Sequence, residues 1–282
     1  MPKSNKITGA LKCPVCGNGM TVEQKGSISL LCDGAKRHLY DFSASGYVNL
    51  APPAQSNGGD AKSAVRARTA FLDTGHYFPI ASKICDIIKA HCAEHSIVVD
   101  AGCGEGYYSE SLLKNGFSVF GFDLSKYAVE AAAKRAKRTD PENSFFGVAS
   151  VYSMPLADNC ADAIINVFAP CVEDEYSRVL NDDGVLLVVH AGRDHLLGLK
   201  SAIYESTKTN EQRADLPDGM EFVASEELKY TITVRGNENI KNLFAMTPYY
   251  WHTSKNDVEK LDLLDELETE IDIIFSLYRK RR

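Results

Sequence analysis

No stretch of this chain approaches the eighteen consecutive apolar residues of a membrane-crossing helix, and its first residues are polar, without the apolar core of a secretory leader. A cytoplasmic protein with no membrane partner is therefore expected. Net positive charge is lacking too. The balance is −7, so the surface as a whole does not advertise a polyanion partner. That total hides local basic patches. Residues 1–40 carry six Lys or Arg against two acids, and "KRAKR" (Lys134 to Arg138) and "RKRR" (Arg279 to Arg282) are further clusters. The acidic stretch "DVEKLDLLDELETEID" offsets them, and taken singly each cluster reads as a solvated helix face or tail. No internal repeat is present. Eight cysteines in a reducing compartment should not form a disulfide framework, and one Cys-x-x-Cys pair puts metal ahead of redox chemistry.

With 282 residues, 44% of them apolar, the chain can bury the core of one large domain plus a small module. Residues 1–50 read as that module, with turns and short strands. Residues 51–63, rich in Pro, Gly, Ser and Asn, read as a linker, and residues 64–282 as the large domain. There the texture alternates. "SIVVDAG", "FSVFGFD", "SFFGVAS", "ADAIINVFA" and "GVLLVVHAG" are β-rich, with helical patterns such as "SKYAVEAAAKRAKR" between them and a helix from about Val172. That alternation predicts an α/β fold with a mostly parallel sheet. Two later β-like runs, "LKYTITVRG" and "EIDIIFSLYRK", follow a stretch from Arg193 to Phe222 that reads as a substrate-facing insertion.

The sharpest motif is "VVDAGCGEG", Val98 to Gly106. Gly102 and Gly104 remove side chains where the strand turns into a helix, so a ligand can approach the backbone, and Gly106 opens the helix. Asp100 can orient this loop or bind a ligand amine through water. Asp123 ends the next strand, where a carboxylate can accept both hydroxyls of an adenosine ribose. Dinucleotide oxidoreductases share this logic with a G-x-G-x-x-G loop. The D-x-G-C-G-x-G form here resembles motif I of class I S-adenosylmethionine methyltransferases. Cys103 reads as a small space-filler with its thiol turned into the core. The fourth strand ends "INVFAPC". This is not the D/N-P-P-Y/F motif of amino-methylating enzymes, and Pro170-Cys171 reads as a helix-start proline before a buried cysteine rather than a cytosine-C5 nucleophile.

The Cys-x-x-Cys module, "YDFSASGYVNL", "ARTAFLDTGHYFPI", "DAGCGEGYYSE", "FDLSKYAVEAAAKR", "FAPC", "GRDHLLGLK" and "MTPYYW" occur in one order. Together they resemble the 23S ribosomal RNA guanine-N1 methyltransferases of the RlmA/TlrB type, from Cys13 to roughly the C-terminus. The resemblance implies a class I methyltransferase Rossmann-like sheet with a small zinc-ribbon-like module. It also implies S-adenosyl-L-methionine and zinc as cofactors, guanine N1 in hairpin 35 of 23S rRNA as substrate, and a homodimer. Carried over residue by residue, the cofactor contacts fall on Tyr77, Gly104, Glu105 and His195. Each has a plainer reading: Tyr77 as helix-end packing, Glu105 as a helix-start acid, His195 as a satisfied surface histidine. No residue is singled out to accept the guanine N1 proton. Asp194 and His195 are candidates, and the Asn166 amide can hold the guanine edge. Phe168, Tyr249 and Trp251 can stack on an extruded base or serve as core.

Cys13 and Cys16, followed by Gly17, form a knuckle in which two thiolates share one metal, and Cys32 and His38 supply the second pair. Three sulfurs and one imidazole suit tetrahedral zinc. Such a module would present Lys12, Lys25, Lys36 and Arg37 to RNA. Two rival functions remain at this level: a small-molecule methyltransferase with a structural zinc module, and a cofactor-sensing RNA-binding protein without catalysis.

Overall fold

The computed structural model describes residues 5–25, 27–52, 59–206, 209–210 and 219–281. Residues 53–58 of the expected linker, parts of the 193–222 stretch and Arg282 of the last basic cluster lie outside the described residues.

The N-terminal segment contains α1 (Asn5–Ala10) and a three-stranded antiparallel sheet of β1 (Met20–Lys25), β2 (Ser27–Cys32) and β3 (Leu39–Asp41). The next strand, β4 (Val48–Asn49), leaves that small sheet for the edge of a larger one. Then come α2 (Lys62–Leu72), α3 (Phe78–His91), β5 (Ile97–Ala101), α4 (Tyr107–Lys114), β6 (Ser118–Asp123), α5 (Lys126–Thr139), β7 (Ser144–Val148), β8 (Ala161–Val167), α6 (Glu173–Val179) and β9 (Leu180–Ala191). The chain finishes with α7 (Leu197–Ile203), β10 (Met220–Arg235), α8 (Asn237–Ala245), a 3-10 turn (Pro248–Trp251), α9 (Lys255–Glu259) and β11 (Glu266–Lys280).

The large sheet has the order β10-β11-β9-β8-β5-β6-β7-β4. Strands β4 to β9 run parallel, while β11 is antiparallel to both β9 and β10. All five residues of β5 are buried, as a central parallel strand covered on both faces requires. Helix α5 starts where the Ser125 hydroxyl accepts the Ala128 amide, and its Ala-rich face packs on the sheet. The β10 strand starts at Met220, eight residues before the β-like run read from sequence. Its first half is exposed, so a strand at the sheet edge shows no apolar alternation there.

Alternate residues of the central strands feed two cores. Val98, Val119, Ala163 and Leu187 meet helices α2 to α5 and α8 on one face. Val99, Phe120, Ile164 and Leu186 meet α6 and the N-terminal segment on the other, where Leu11, Met20, Leu30, Val48 and Leu50 are buried with them. Lys12 N donates to Pro155 O at 2.9 Å and Ala157 N to Ala10 O at 2.8 Å, so backbone hydrogen bonds also join the two parts.

Candidate active site

At the carboxyl ends of the parallel strands lies a cavity of about 850 Å³, the place where open α/β sheets bind ligands. The loop after β5 forms one wall. A Cβ at Gly102 would stand 2.6 Å from the Ala169 methyl, and one at Gly106 would stand 2.8 Å from Ala132, with both glycines at positive φ. The tight loop is thus fixed by packing from β8 and α5. Gly104 N donates to Asp123 Oδ2 at 3.1 Å, and Ser125 N donates to Asp123 Oδ1 at 2.7 Å. Burial raises the Asp123 pKa against these bonds. Cys103 is buried in the core with its thiol pKa pushed well up by burial, as a space-filler would be.

Of the residues expected at this site, Tyr77, Gly102, Gly104, Glu105, Asp123 and His195 line the cavity. Asp100 is not among the lining residues. It lies buried behind the loop, accepts the Ser109 hydroxyl at 2.5 Å, and has its pKa raised by burial to about 7. Arg68 went unrecognised in the sequence. From α2 its guanidinium reaches Glu105 and Asp60, each at 2.5 Å. Burial opposes its charge, and the Glu105 carboxylate more than offsets this, so the Arg68 pKa is raised. Its position in a helical pattern gave no hint of a partner 37 residues away.

The other end of the cavity is neutral and aromatic. His195 is buried, not on the surface. Its Nδ1 accepts Asp272 N at 3.3 Å, which fixes the Nε2–H tautomer, and Nε2 faces the Tyr77 hydroxyl at 3.4 Å. Burial lowers its pKa to about 4. The Phe168 ring stacks on it, with centroids 6.0 Å apart and planes inclined by 16°, and Phe168 has φ 55° while remaining 47% exposed. Asn210, inside the stretch expected to face the substrate although not itself singled out there, ties this end together. It accepts from Lys200 Nζ at 2.5 Å and Tyr249 Oη at 3.2 Å, and donates to Gly192 O at 2.8 Å and His195 O at 3.3 Å. Asn166 and Tyr249 also line the cavity, whereas Asp194, Cys171 and Trp251 do not. Asp194 faces Lys229, and Cys171 packs partly buried against the second core.

The N-terminal segment brings Cys13, Cys16, Cys32 and His38 together, with one ligand atom from each within 4.8 Å of the others. Gly17 N bonds back to Cys13 O at 2.8 Å to form the knuckle, and Cys32 N bonds to His38 O at 2.9 Å, which spans the longer gap before the histidine. Cys13 Sγ lies 3.5 Å from His38 Nδ1 and Cys16 Sγ lies 3.2 Å from Cys32 Sγ. A tetrahedral zinc with bonds of about 2.0–2.3 Å holds a sulfur and a nitrogen about 3.6 Å apart and two sulfurs about 3.8 Å apart, so Cys13 and His38 already match, Cys16 and Cys32 would part by about half an ångström, and three sulfurs with one imidazole are a donor set suited to that metal. The Asn18 amide donates to Cys16 Sγ at 3.3 Å and lowers its pKa to about 6.

The strand order, with β11 inserted antiparallel between β9 and β10, and the glycine loop after β5 define a class I methyltransferase. Residues 98–184 match the family model described as a methyltransferase domain. A 23S rRNA (guanine(748)-N(1))-methyltransferase of Streptomyces fradiae is 31% identical over 259 residues, covering 89% of each chain. A Bacillus subtilis (strain 168) protein named as a candidate 23S rRNA guanine-N1 methyltransferase is 27% identical, covering 93% of this chain and 94% of its own. The chain belongs to the family of 23S rRNA guanine-N1 methyltransferases.

Proposed function

We propose that this enzyme uses S-adenosyl-L-methionine to methylate N1 of a guanine in hairpin 35 of 23S rRNA. The observation that carries the reading is the cavity's division. At the glycine loop, Asp60, Glu105 and Asp123 face Arg68, an acidic surplus that suits a cationic ligand. At the other end, Phe168, His195 and Tyr249 offer a neutral, stacking surface that suits a base, and Asn166 also lines the cavity. The volume is of the size that holds a small-molecule ligand.

S-adenosylmethionine supplies an electrophilic methyl group on a sulfonium. The residues of this chain hold and orient. Asp123, at the end of β6, is placed to accept the ribose hydroxyls. Gly102 and Gly104 leave room for the ligand at the backbone, and Asp100 keeps the loop in place through Ser109. Tyr77, just before α3, and Glu105 of the loop border the ligand, and His195, 3.4 Å from the Tyr77 hydroxyl, stands where the cofactor end meets the base-facing surface. His195, held neutral with Nδ1 already accepting a backbone N–H, is a positioning group rather than the proton acceptor. Transfer to N1 also breaks the N1–H bond, and in this reading the proton passes to water in the cavity mouth; positioning is most of the rest of what such a transfer asks of a protein.

The N-terminal residues 1–50 act in this reading as a zinc-dependent RNA-recognition module, joined through residues 51–63 to a catalytic domain of residues 64–282. Zinc held by Cys13, Cys16, Cys32 and His38 supplies folding energy to a segment with little core of its own. Lys12, Lys36 and Arg37 meet phosphates; the Lys25 side chain lies outside the described residues. Cys13→Ser with Cys16→Ser should lose one equivalent of zinc by metal analysis and weaken RNA binding. A cytoplasmic homodimer completes the reading, and light scattering in solution checks the dimer. The deciding experiment is primer extension across hairpin 35 after incubation with enzyme and cofactor. An N1-methyl group blocks reverse transcription and should give a new stop at the target guanine. Methyl incorporation into small acceptors alone would overturn the RNA reading.

A further inference from the structure

Asn166, the next-to-last residue of β8, lines the cavity one residue past Ile165, which pairs with Asp100 of β5. Its side chain is buried and its orientation is chemically determined. Nδ2 lies 2.8 Å from Pro170 O, and a carbonyl oxygen can only accept. Nδ2 also lies 2.8 Å from Tyr176 Oη, whose own proton goes to Pro170 O at 3.1 Å. The hydroxyl is therefore the acceptor from Asn166. Both amide hydrogens are committed, and turning the amide over would set two oxygens against each other at Pro170. What remains is Oδ1. It has no hydrogen-bond partner among the described residues, yet it is not among the side-chain atoms that are both sealed from solvent and unpaired. Oδ1 is thus a fixed acceptor, with no donor capacity beside it, on a residue that lines the cavity.

We infer that Asn166 reads the exocyclic N2 amino group of the target guanine through Oδ1. The inference rests on the guanine-N1 reading above and makes it specific to one substituent. For transfer to N1, that nitrogen must face the methyl group, which leaves its two neighbours on the base edge for side chains to read. One is O6, an acceptor, which an amide oxygen repels. The other is N2, a donor, which an amide oxygen binds. Adenine carries no amino group there and inosine carries only hydrogen, so an acceptor held at this point selects guanine. Tyr176 and Pro170 act as positioning groups, because they occupy the donor half of the amide and prevent it from rotating.

The test uses the full-length enzyme and two synthetic hairpin-35 RNAs, identical except for guanine or inosine at the methylated position, with kcat/KM measured for each. Wild type should prefer guanine by about tenfold or more, because loss of the N2 donor leaves Oδ1 unpaired. Asn166→Ala and Asn166→Ser should bring the ratio towards one, mainly by lowering the guanine rate. The ratio is taken within one preparation, so it does not depend on the fraction of folded protein. A wild-type ratio near one overturns the inference without recourse to any variant, and so does a wild-type-like ratio in both variants. If wild type methylates neither hairpin, the guanine-N1 reading itself fails and the inference falls with it. That outcome differs visibly from an active enzyme that ignores N2.

Discussion

The two ends of the cavity are held in different ways. At the glycine loop the structure relies on charge. A guanidinium from α2 bridges two carboxylates, and a third carboxylate is gripped by backbone amides. At the base end it relies on neutral hydrogen bonds and rings, with a histidine kept uncharged by burial, a stacked phenylalanine and an asparagine that joins three segments. The contrast teaches that one cavity can keep its charged groups satisfied at one end and stay neutral at the other, which is what the proposed pairing of a cationic cofactor with a neutral heterocycle would require.

The largest expected effect sharpens that contrast from the charged side. Asp123→Ala removes an acceptor of two charge-assisted hydrogen bonds, each worth about 1.5–3 kcal/mol. Cofactor affinity by calorimetry should fall at least about a hundredfold, while affinity for hairpin RNA stays near wild type. Unchanged cofactor affinity would take Asp123 out of the site.

Stability against pH gives a second handle, with opposite signs at the two ends. Asp100 is raised from 3.8 to about 7 by burial, so its contribution is present below pH 3.8 and is lost as pH rises through 7. His195 is lowered from 6.5 to about 4 by burial, so its contribution is present above pH 6.5 and is lost as pH falls through 4. At about 1.4 kcal/mol per unit these amount to roughly 4 and 3 kcal/mol, and in wild type they largely cancel between pH 4 and 7. Melting curves should separate them. Asp100→Asn should gain stability with rising pH across that range, and His195→Gln should lose it. Parallel profiles for the two variants would show that the ends do not differ in this way.

Smaller effects are expected from the aromatic side. Phe168→Ala should cost about 1–3 kcal/mol of base stacking, seen as a drop in kcat/KM for RNA with cofactor affinity retained. Asn210→Ala frees the turn that carries His195 and should lower kcat about tenfold or less, with a small change in cofactor affinity. A loss confined to cofactor binding in either variant would break the division between the ends.

The parts legible in the sequence are those whose partners are near in the chain or stand at strand ends. The Gly102–Gly106 loop follows β5 directly, and Asp123 sits at the matching end of β6, so strand patterning alone placed them beside one another. The cysteine–histidine cluster was legible for a similar reason: the knuckle sets the spacing of Cys13 and Cys16, and a hairpin brings His38 to Cys32. Arg68, Asn210 and Asp272 were not legible. Their partners lie far along the chain, as with Asn210 and Tyr249; Arg68 and Asn210 sit where a polar residue calls for no explanation, and Asp272, buried within the apolar run of β11, stood out without naming a partner. The exposed first half of β10 escaped for the complementary reason, since a strand wetted on both faces and unpaired along one edge needs no apolar alternation.

The pairing of β4 with β7 bears on how this protein can be handled at the bench. Val48 and Asn49 lie along Gly147 and Val148 and cover an edge strand whose sequence, "SFFGV", is short, apolar and uncharged. A chain cut at the linker would uncover that edge, and a bare strand of this composition recruits copies of itself. The N-terminal fifty residues are therefore also a guard against self-association, and a shortened enzyme should precipitate at concentrations where the whole chain stays in solution, whether or not its active site is intact.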